Sequence, residues 1–371
     1  MPNKLKILII ANSTIVFGKE LKSELEKKGK EVCLLDFESL SLQCKKDIDT
    51  SYSDLFLRYK QLPKLHMFFR LYFMAKLIKR ENFDLVNIHY IRWVYIFLLP
   101  VLTKSRFVAT FYGSDFYRSS NLVKRIQRLI YKQADALTFT NPLTKEAFTQ
   151  YYKGYEEKSY VCRFGLKTLD YIDKNRQRQK EELRDTLGYS TSKIIVTCGY
   201  NATRAQQHKK IIEELVLLEE LNLNKIQFVF PMTYGDMLYK EEIKNLLRKS
   251  GLDYVVLEEF LYEDDNAYVK LASDIMINLL ETDSFSGSMQ EFLYANNYVI
   301  TGSWLPYEVF DKEGIVYYKL DFTRQLNRKL VDVLEAIDQD KDTLANNPSI
   351  ISRLSSWKNN INNWIDVYEK H

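Results

Sequence analysis

Short apolar runs alternate with longer amphipathic, charged segments along this chain. Lys6–Ala11 and Glu31–Asp36 read as strands, with a helix over 18–28 between them. Further strands are expected at 85–90, 107–111, 136–140 and 160–163. Helical segments separate most of these, which is the rhythm of a parallel sheet with crossover helices. The stretch 167–188 is strongly charged and reads as a linker with an opening helix. The rhythm then restarts, with strands expected at Ile194–Cys198, 227–230, Tyr254–Leu257, 274–278, 298–301 and 315–318.

Two successive α/β units of similar size imply two doubly wound domains, 1–166 and 167–354. In such sheets a ligand lies at the carboxyl ends of the strands, at the switch point, and a shared cleft between two facing domains would serve both. The last segment, 355–371, carries Trp357, Ile361, Trp364, Ile365 and Tyr368 at spacings of three and four, the pattern of one helical face. It is expected to pack on the first domain.

Composition narrows the class. The chain has 371 residues, 46% hydrophobic and 27% charged, as folded globular proteins do. A net charge of +4 from 53 basic and 49 acidic residues is too balanced for a nucleic-acid partner. The cysteines Cys33, Cys44, Cys162 and Cys198 show no paired spacing and read as reduced thiols of a cytoplasmic protein. The histidines form no ligand pattern, and no metal or cofactor is expected. No secretory leader or spanning helix is visible, since the longest apolar run is broken by Pro100.

One constellation carries chemistry. After the strand expected at 274–278 comes Asp283-Ser-Phe-Ser-Gly-Ser-Met-Gln-Glu291, which leads into a helix. Ser286, Gly287 and Ser288 are helix-start residues, and the N–H groups of that start favour an anion such as a diphosphate. Gly287 would let a phosphate approach the backbone. A carboxylate at Glu291 suits a vicinal diol, because its two oxygens accept two hydrogen bonds.

This run resembles the E-x7-E motif of the family 4 retaining glycosyltransferases, which have the GT-B fold. Phe285 and Glu291 match, Asp283 stands for the first Glu, and Ser286 stands where the family has Gly. Other segments resemble the family in order: Asp84 to Tyr90, then 107–115 ending in Gly113-Ser114-Asp115 with Tyr112 replacing His, and the strand from Ala134 to Thr140. The second domain opens near Gly199-Tyr200, where the family has Gly-Arg, with Arg204, His208, Lys209 and Lys210 close by. This loop and 230–236, which includes Tyr234, also resemble lipid-linked 4-acetamido-4,6-dideoxygalactose transferases, which are inverting.

The resemblance implies a metal-independent glycosyltransferase of cell-surface polysaccharide synthesis. It would move a sugar from a nucleotide-sugar donor to a glycan or polyprenyl-pyrophosphate-linked acceptor, with retained configuration. Asp283, Glu291 and Asp115 would be the catalytic set. Arg204, His208, Lys209, Ser286, Gly287, Ser288 and Tyr234 would bind the donor. Two other readings stay open: a nucleotide-sugar epimerase of the same fold, and a non-catalytic nucleotide-sugar or glycan-binding assembly protein.

Two further features bear on location. From Arg58 to Arg80 there are seven basic residues, no acid, and many interleaved aromatics, which suits either a segment that lies on an anionic membrane or, being apolar almost all round, a helix packed between the sheet and its neighbours. A second basic helix, 124–132, would join it. Asp47-Ile48-Asp49 has the spacing of a metal-binding D-x-D but reads as a solvated loop.

Overall fold

The computed structural model describes residues 5–12, 16–45, 47–62, 65–283, 285–339 and 343–370. Lys64, one of the seven basic residues between Arg58 and Arg80, and Ser284 of the Asp283-to-Glu291 run lie outside the described residues. The chain forms two compact units, Met1–Gly165 with Trp357–His371, and Leu166–Ser356.

The first unit holds an eight-stranded sheet of β1 (Lys6–Ala11), β2 (Glu31–Asp36), β3 (Leu42–Cys44), β4 (Asp47–Asp49), β5 (Leu85–His89), β6 (Arg106–Phe111), β7 (Ala136–Phe139) and β8 (Ser159–Val161). Their order is β4-β3-β2-β1-β5-β6-β7-β8. All pairs are parallel except β2–β3 and β3–β4. Strand alternation sends Leu8, Ile10, Val86, Ile88 and Phe111 to one face, with Met74, Tyr95 and Ile130. Ile7, Ile9, Val32 and Val108 go to the other, with Leu21, Leu25, Trp357 and Trp364. The final helix, Trp357–Glu369, thus covers a face of the first sheet. Its two indoles are fixed: Trp357 Nε1 donates to Glu20 at 2.9 Å and Trp364 Nε1 to the Arg163 carbonyl at 2.9 Å.

The second unit holds β9 (Ile194–Cys198), β10 (Ile226–Pro231), β11 (Tyr254–Leu257), β12 (Ile275–Asn278), β13 (Tyr298–Gly302) and β14 (Tyr318–Leu320). They are parallel throughout, in the order β11-β10-β9-β12-β13-β14. β12 and β9 are buried along almost their whole length, as strands covered on both faces must be.

Four sequence expectations are corrected. Residues 167–188 are not a linker but two packed helices, Thr168–Asn175 and Lys180–Leu187. Leu169, Ile172 and Leu183 are buried, and Arg184 reaches Asp274 at 2.5 Å. Apart from buried Arg184, most of the charges there lie on outer faces and hid the apolar stripe. Cys33 and Cys44 are disulfide-bonded. Their eleven-residue separation folds back as an antiparallel pair that sets them directly opposite each other. Asp47-Ile48-Asp49 is the edge strand β4, with Asp49 paired to Arg80 at 3.2 Å. The last strand is Tyr318–Leu320 rather than 315–318.

Candidate active site

In the second unit the chain runs outward from β9 through β10 to β11, then returns to β12 on the other side of β9. β9 and β12 are therefore the switch-point neighbours, the place where ligands of such sheets bind beyond the carboxyl ends of the strands. Gly199 leaves β9 at φ +67°, and a Cβ there would stand 2.8 Å from both Gln206 Oε1 and His208 Nε2. Only glycine meets both conditions. Gln207 Nε2 donates to the Leu279 carbonyl at 2.6 Å, and the Glu281 N–H donates to the Ala205 carbonyl at 2.9 Å. These bonds join the loop after β9 to the loop after β12. On its other side the Ala202 N–H donates to the Tyr234 carbonyl at 2.7 Å. The chain passes so close there that a Cβ on Gly235 would lie 2.6 Å from the Ala202 carbonyl.

These loops, with the loop after β11, bound a hollow of about 250 Å³. Tyr200, Tyr234, Phe260 and Leu261 give it apolar surface, and Asn266, Lys270, Ser288 and Glu291 give it polar groups. The Tyr234, Phe260 and Tyr262 rings form an exposed row with centroids 5.9 and 4.8 Å apart.

The helix Gly287–Tyr294 starts at this hollow. Ser286 caps it, its hydroxyl accepting the Met289 N–H at 3.1 Å. The Ser288 hydroxyl is buried at the hollow without a hydrogen-bond partner among the described residues. One turn on, Glu291 Oε2 lies 3.3 Å from Lys270 Nζ. Lys270 also donates to Asn266 Oδ1. Burial lowers the Lys270 pKa, and the Glu291 charge opposes that. Asp283 accepts the Tyr307 hydroxyl at 2.6 Å, and that oxygen accepts Asn278 Nδ2 at 3.2 Å. Burial first, then the Asp283 charge, push the Tyr200 phenol up to about 12, so it stays a neutral donor at neutral pH.

The arrangement offers an anion a helix N-terminus with a vacant hydroxyl, offers a diol a carboxylate, and offers a flat ring an aromatic rim.

The predicted residues divide. Ser288, Glu291 and Tyr234 line this hollow, and Asp283 lies close enough to Tyr200 to raise its pKa. Ser286 spends its oxygen on the cap. Gly287 is small because of packing: a Cβ would meet Leu166 Cδ2 at 3.2 Å. Arg204 is exposed and tied to Asp236 at 3.4 Å and Glu242 at 3.2 Å. Its ring partner is Tyr239, and it is not among the residues of the hollow. His208 is wholly buried behind Gly199, and burial lowers its pKa to about 4, so it is an uncharged core group. Lys209 is exposed on the first turn of the helix His208–Leu215.

Asp115 belongs to the first unit. Its carboxylate accepts the N–H groups of Ile91 at 2.9 Å, Tyr112 at 3.1 Å and Gly113 at 2.9 Å. Burial raises its pKa to about 6 against those bonds. It staples the segments following β5 and β6 together, and it also borders a hollow of about 340 Å³ in the first unit. Tyr112, in place of the family's His, bonds His89 Nδ1 through its hydroxyl at 3.0 Å.

Sequence reasoning missed Lys270 and Asn266. The available signal was a lysine inside the apolar run Val269-Lys270-Leu271-Ala272. A basic residue there belongs on the buried side of its helix.

The basic, aromatic segment is also resolved into parts. Arg70 is not a surface cation: it is buried, 4.9 Å from the Phe37 ring and 5.0 Å from the Phe56 ring, and paired to Glu38 at 3.2 Å. Phe68 and Tyr72, on the outer face of helix His66–Glu81, are 54% and 59% exposed. Phe68 meets exposed Phe97 at 5.8 Å between ring centroids, and Lys76, Lys79 and Arg80 are exposed on the same helix.

Residues 6–141 match the family model of the glycosyl transferase 4-like proteins. No curated protein matches the chain in sequence. Among solved structures, it resembles a glycosyltransferase from Rickettsia africae, at 16% identity and a TM-score of 0.76, covering 99% of this chain and 98% of that one. HepE of Anabaena, in complex with UDP and glucose, aligns at 13% identity and a TM-score of 0.67 over 99% and 100% of the two chains. Sucrose-phosphate synthase from Thermosynechococcus elongatus aligns at 12% identity and a TM-score of 0.70 over 99% of each. At these identities the likeness is one of fold.

Proposed function

We propose that this chain, of GT-B glycosyltransferase type, transfers a sugar from a nucleoside-diphosphate donor to a hydroxyl of a glycan or lipid-linked glycan used in cell-surface polysaccharide synthesis. The observation that carries the reading is the joint position of Ser288 and Glu291 on one helix start at the β9–β12 switch point, facing a hollow with an aromatic rim. Glu291 accepts the ribose hydroxyls. The helix start and Ser288 receive the diphosphate, and Tyr234 and Phe260 flank the base. Asp283, oriented by Tyr307, meets the donor sugar.

The reaction breaks the bond from the anomeric carbon to the diphosphate oxygen and forms one to the acceptor oxygen on the same face. The leaving phosphate takes the acceptor proton, so no protein nucleophile and no metal are required. The spacing of Asp283 and Glu291 supports retention. Lys209 neutralises the diphosphate, a role in which Arg204 joins it only by leaving its two carboxylate partners. The outer face of His66–Glu81 holds the enzyme on an anionic membrane from the cytoplasmic side, where a polyprenyl-linked acceptor resides.

The test is turnover. Glu291→Gln keeps an oxygen for Lys270 and should cut transfer by about 10²-fold or more, the scale for a lost polar anchor in a dry site. Nucleotide release from a panel of sugar donors, with membrane extract as acceptor source, measures it. Normal turnover by the variant rejects the site, an inverted product anomer rejects retention, and an isomerised donor formed without acceptor points to an epimerase.

A further inference from the structure

Packing alone does not explain the presence of Lys270 at the hollow. Its side chain is 5% exposed and its neighbours along the helix are apolar. An apolar residue of like volume would hold such a place as well or better, because desolvating an ammonium offsets what its ion pair contributes. The pair is not needed to join the two helices either. Asn297 Nδ2 donates to the carbonyls of Lys270 at 2.8 Å and Phe292 at 3.1 Å, which already ties their backbones together. The ammonium is held from behind. Asn266 accepts from it, and the Asn266 amide is itself fixed by donating to Thr168 Oγ1 at 3.1 Å. The Phe292 ring lies 5.3 Å from Nζ on another side. What remains in front is Glu291 and the hollow.

We infer that Lys270 is the positioning residue of the donor site: its ammonium holds Oε2 of Glu291, so that the other carboxylate oxygen is presented to the sugar hydroxyls of a bound nucleoside diphosphate. The inference rests on the ribose role proposed above for Glu291. A free glutamate at a helix surface samples several rotamers, and fixing one of them places the acceptor before the ligand arrives. The selectivity for ribose over deoxyribose therefore depends on a residue that need not touch the ligand.

Calorimetric titration of the full chain with UDP, ADP and GDP, each against its 2′-deoxy counterpart, tests this. For the nucleotide bound best, the wild type should prefer the ribo form by about 10- to 100-fold, the worth of a hydrogen bond to a charged group. Lys270→Met should lower that ratio to about threefold or less, because an unfixed carboxylate loses the aligned bond. Lys270→Arg should restore most of it. Where Met is not tolerated, Lys270→Gln keeps an N–H toward Glu291 without the charge, and should also lose at least about threefold of the preference. A ratio equal to wild type in either neutral variant overturns the inference. If Glu291→Gln also keeps the wild-type ratio, the ribose reading itself falls. If Glu291→Gln loses the ratio and the Lys270 variants keep it, only the role of Lys270 falls.

Discussion

His89 and His208 are each sealed in the core of one unit, and burial lowers their pKa values to about 3 and about 4 from 6.5. Above pH 6.5 neither group distinguishes folded from unfolded chain. Below it the unfolded chain binds protons that the folded chain refuses, so stability falls with pH, by about 1.4 kcal/mol per pH unit for each group. Asp115 has the opposite sign. Raised to about 6 from 3.8, it binds its proton first in the fold and gains stability as pH drops through that window. His89 and Asp115 therefore oppose each other in the first unit. Replacing His208 by Gln should flatten the loss of stability of the second unit between pH 6.5 and pH 4. Urea unfolding followed at Trp304, the one tryptophan of that unit, reads the effect. An unchanged pH slope would refute it.

Helices and loops are the scale at which the amphipathic pattern speaks. The helix His66–Glu81 buries Leu71, Met74, Leu77 and Ile78 inward. Outward it leaves Phe68 and Tyr72 beside exposed Phe97, with lysines and Arg80 near its end. Replacing Phe68 and Tyr72 by Ser should weaken co-sedimentation with vesicles of mixed neutral and anionic lipid by about tenfold or more, from the apolar area lost. Added salt should weaken the wild type too, since its cations act through the surface potential. Binding that ignores both changes would remove the membrane role. The same scale shows where pattern reading stops. The helices Thr168–Asn175 and Lys180–Leu187 present so much charge outward that they pass for a linker, yet Leu169, Ile172 and Leu183 are buried beneath it. Strands as short as Leu42–Cys44 and Asp47–Asp49 are set by pairing, the first to β2 and the second to the first, and three residues carry too little alternation to announce it.

At the scale of the molecule, the chain passes through the second unit and returns to end on the first. The helix Trp357–Glu369 places Trp357, Ile361, Trp364, Val367 and Tyr368 against a sheet face that it shares with Leu21 and Leu25 of the helix Val16–Lys27. Arg106 holds its last carbonyls, reaching that of Val367 at 3.2 Å. Trp364→Ala should destabilise the first unit by about 3–5 kcal/mol, the usual cost of removing a buried aromatic. The second unit should keep its own transition, and calorimetric melting separates the two. A uniform shift of a single transition would show instead that the units unfold as one.

The alternation of apolar runs and charged amphipathic segments determined the fold class, because burial on both faces of a parallel sheet demands it. Sequence likewise determined that an acid-bearing helix start follows β12, since cap chemistry is local. Tertiary structure decided what the side chains do there. It turned Arg204 outward to Asp236 and Glu242, sealed His208 behind Gly199, spent Asp115 on backbone N–H groups and brought Lys270 to Glu291. Those outcomes depend on which groups meet across a sheet edge, and spacing along one chain segment carries no information about partners supplied by another.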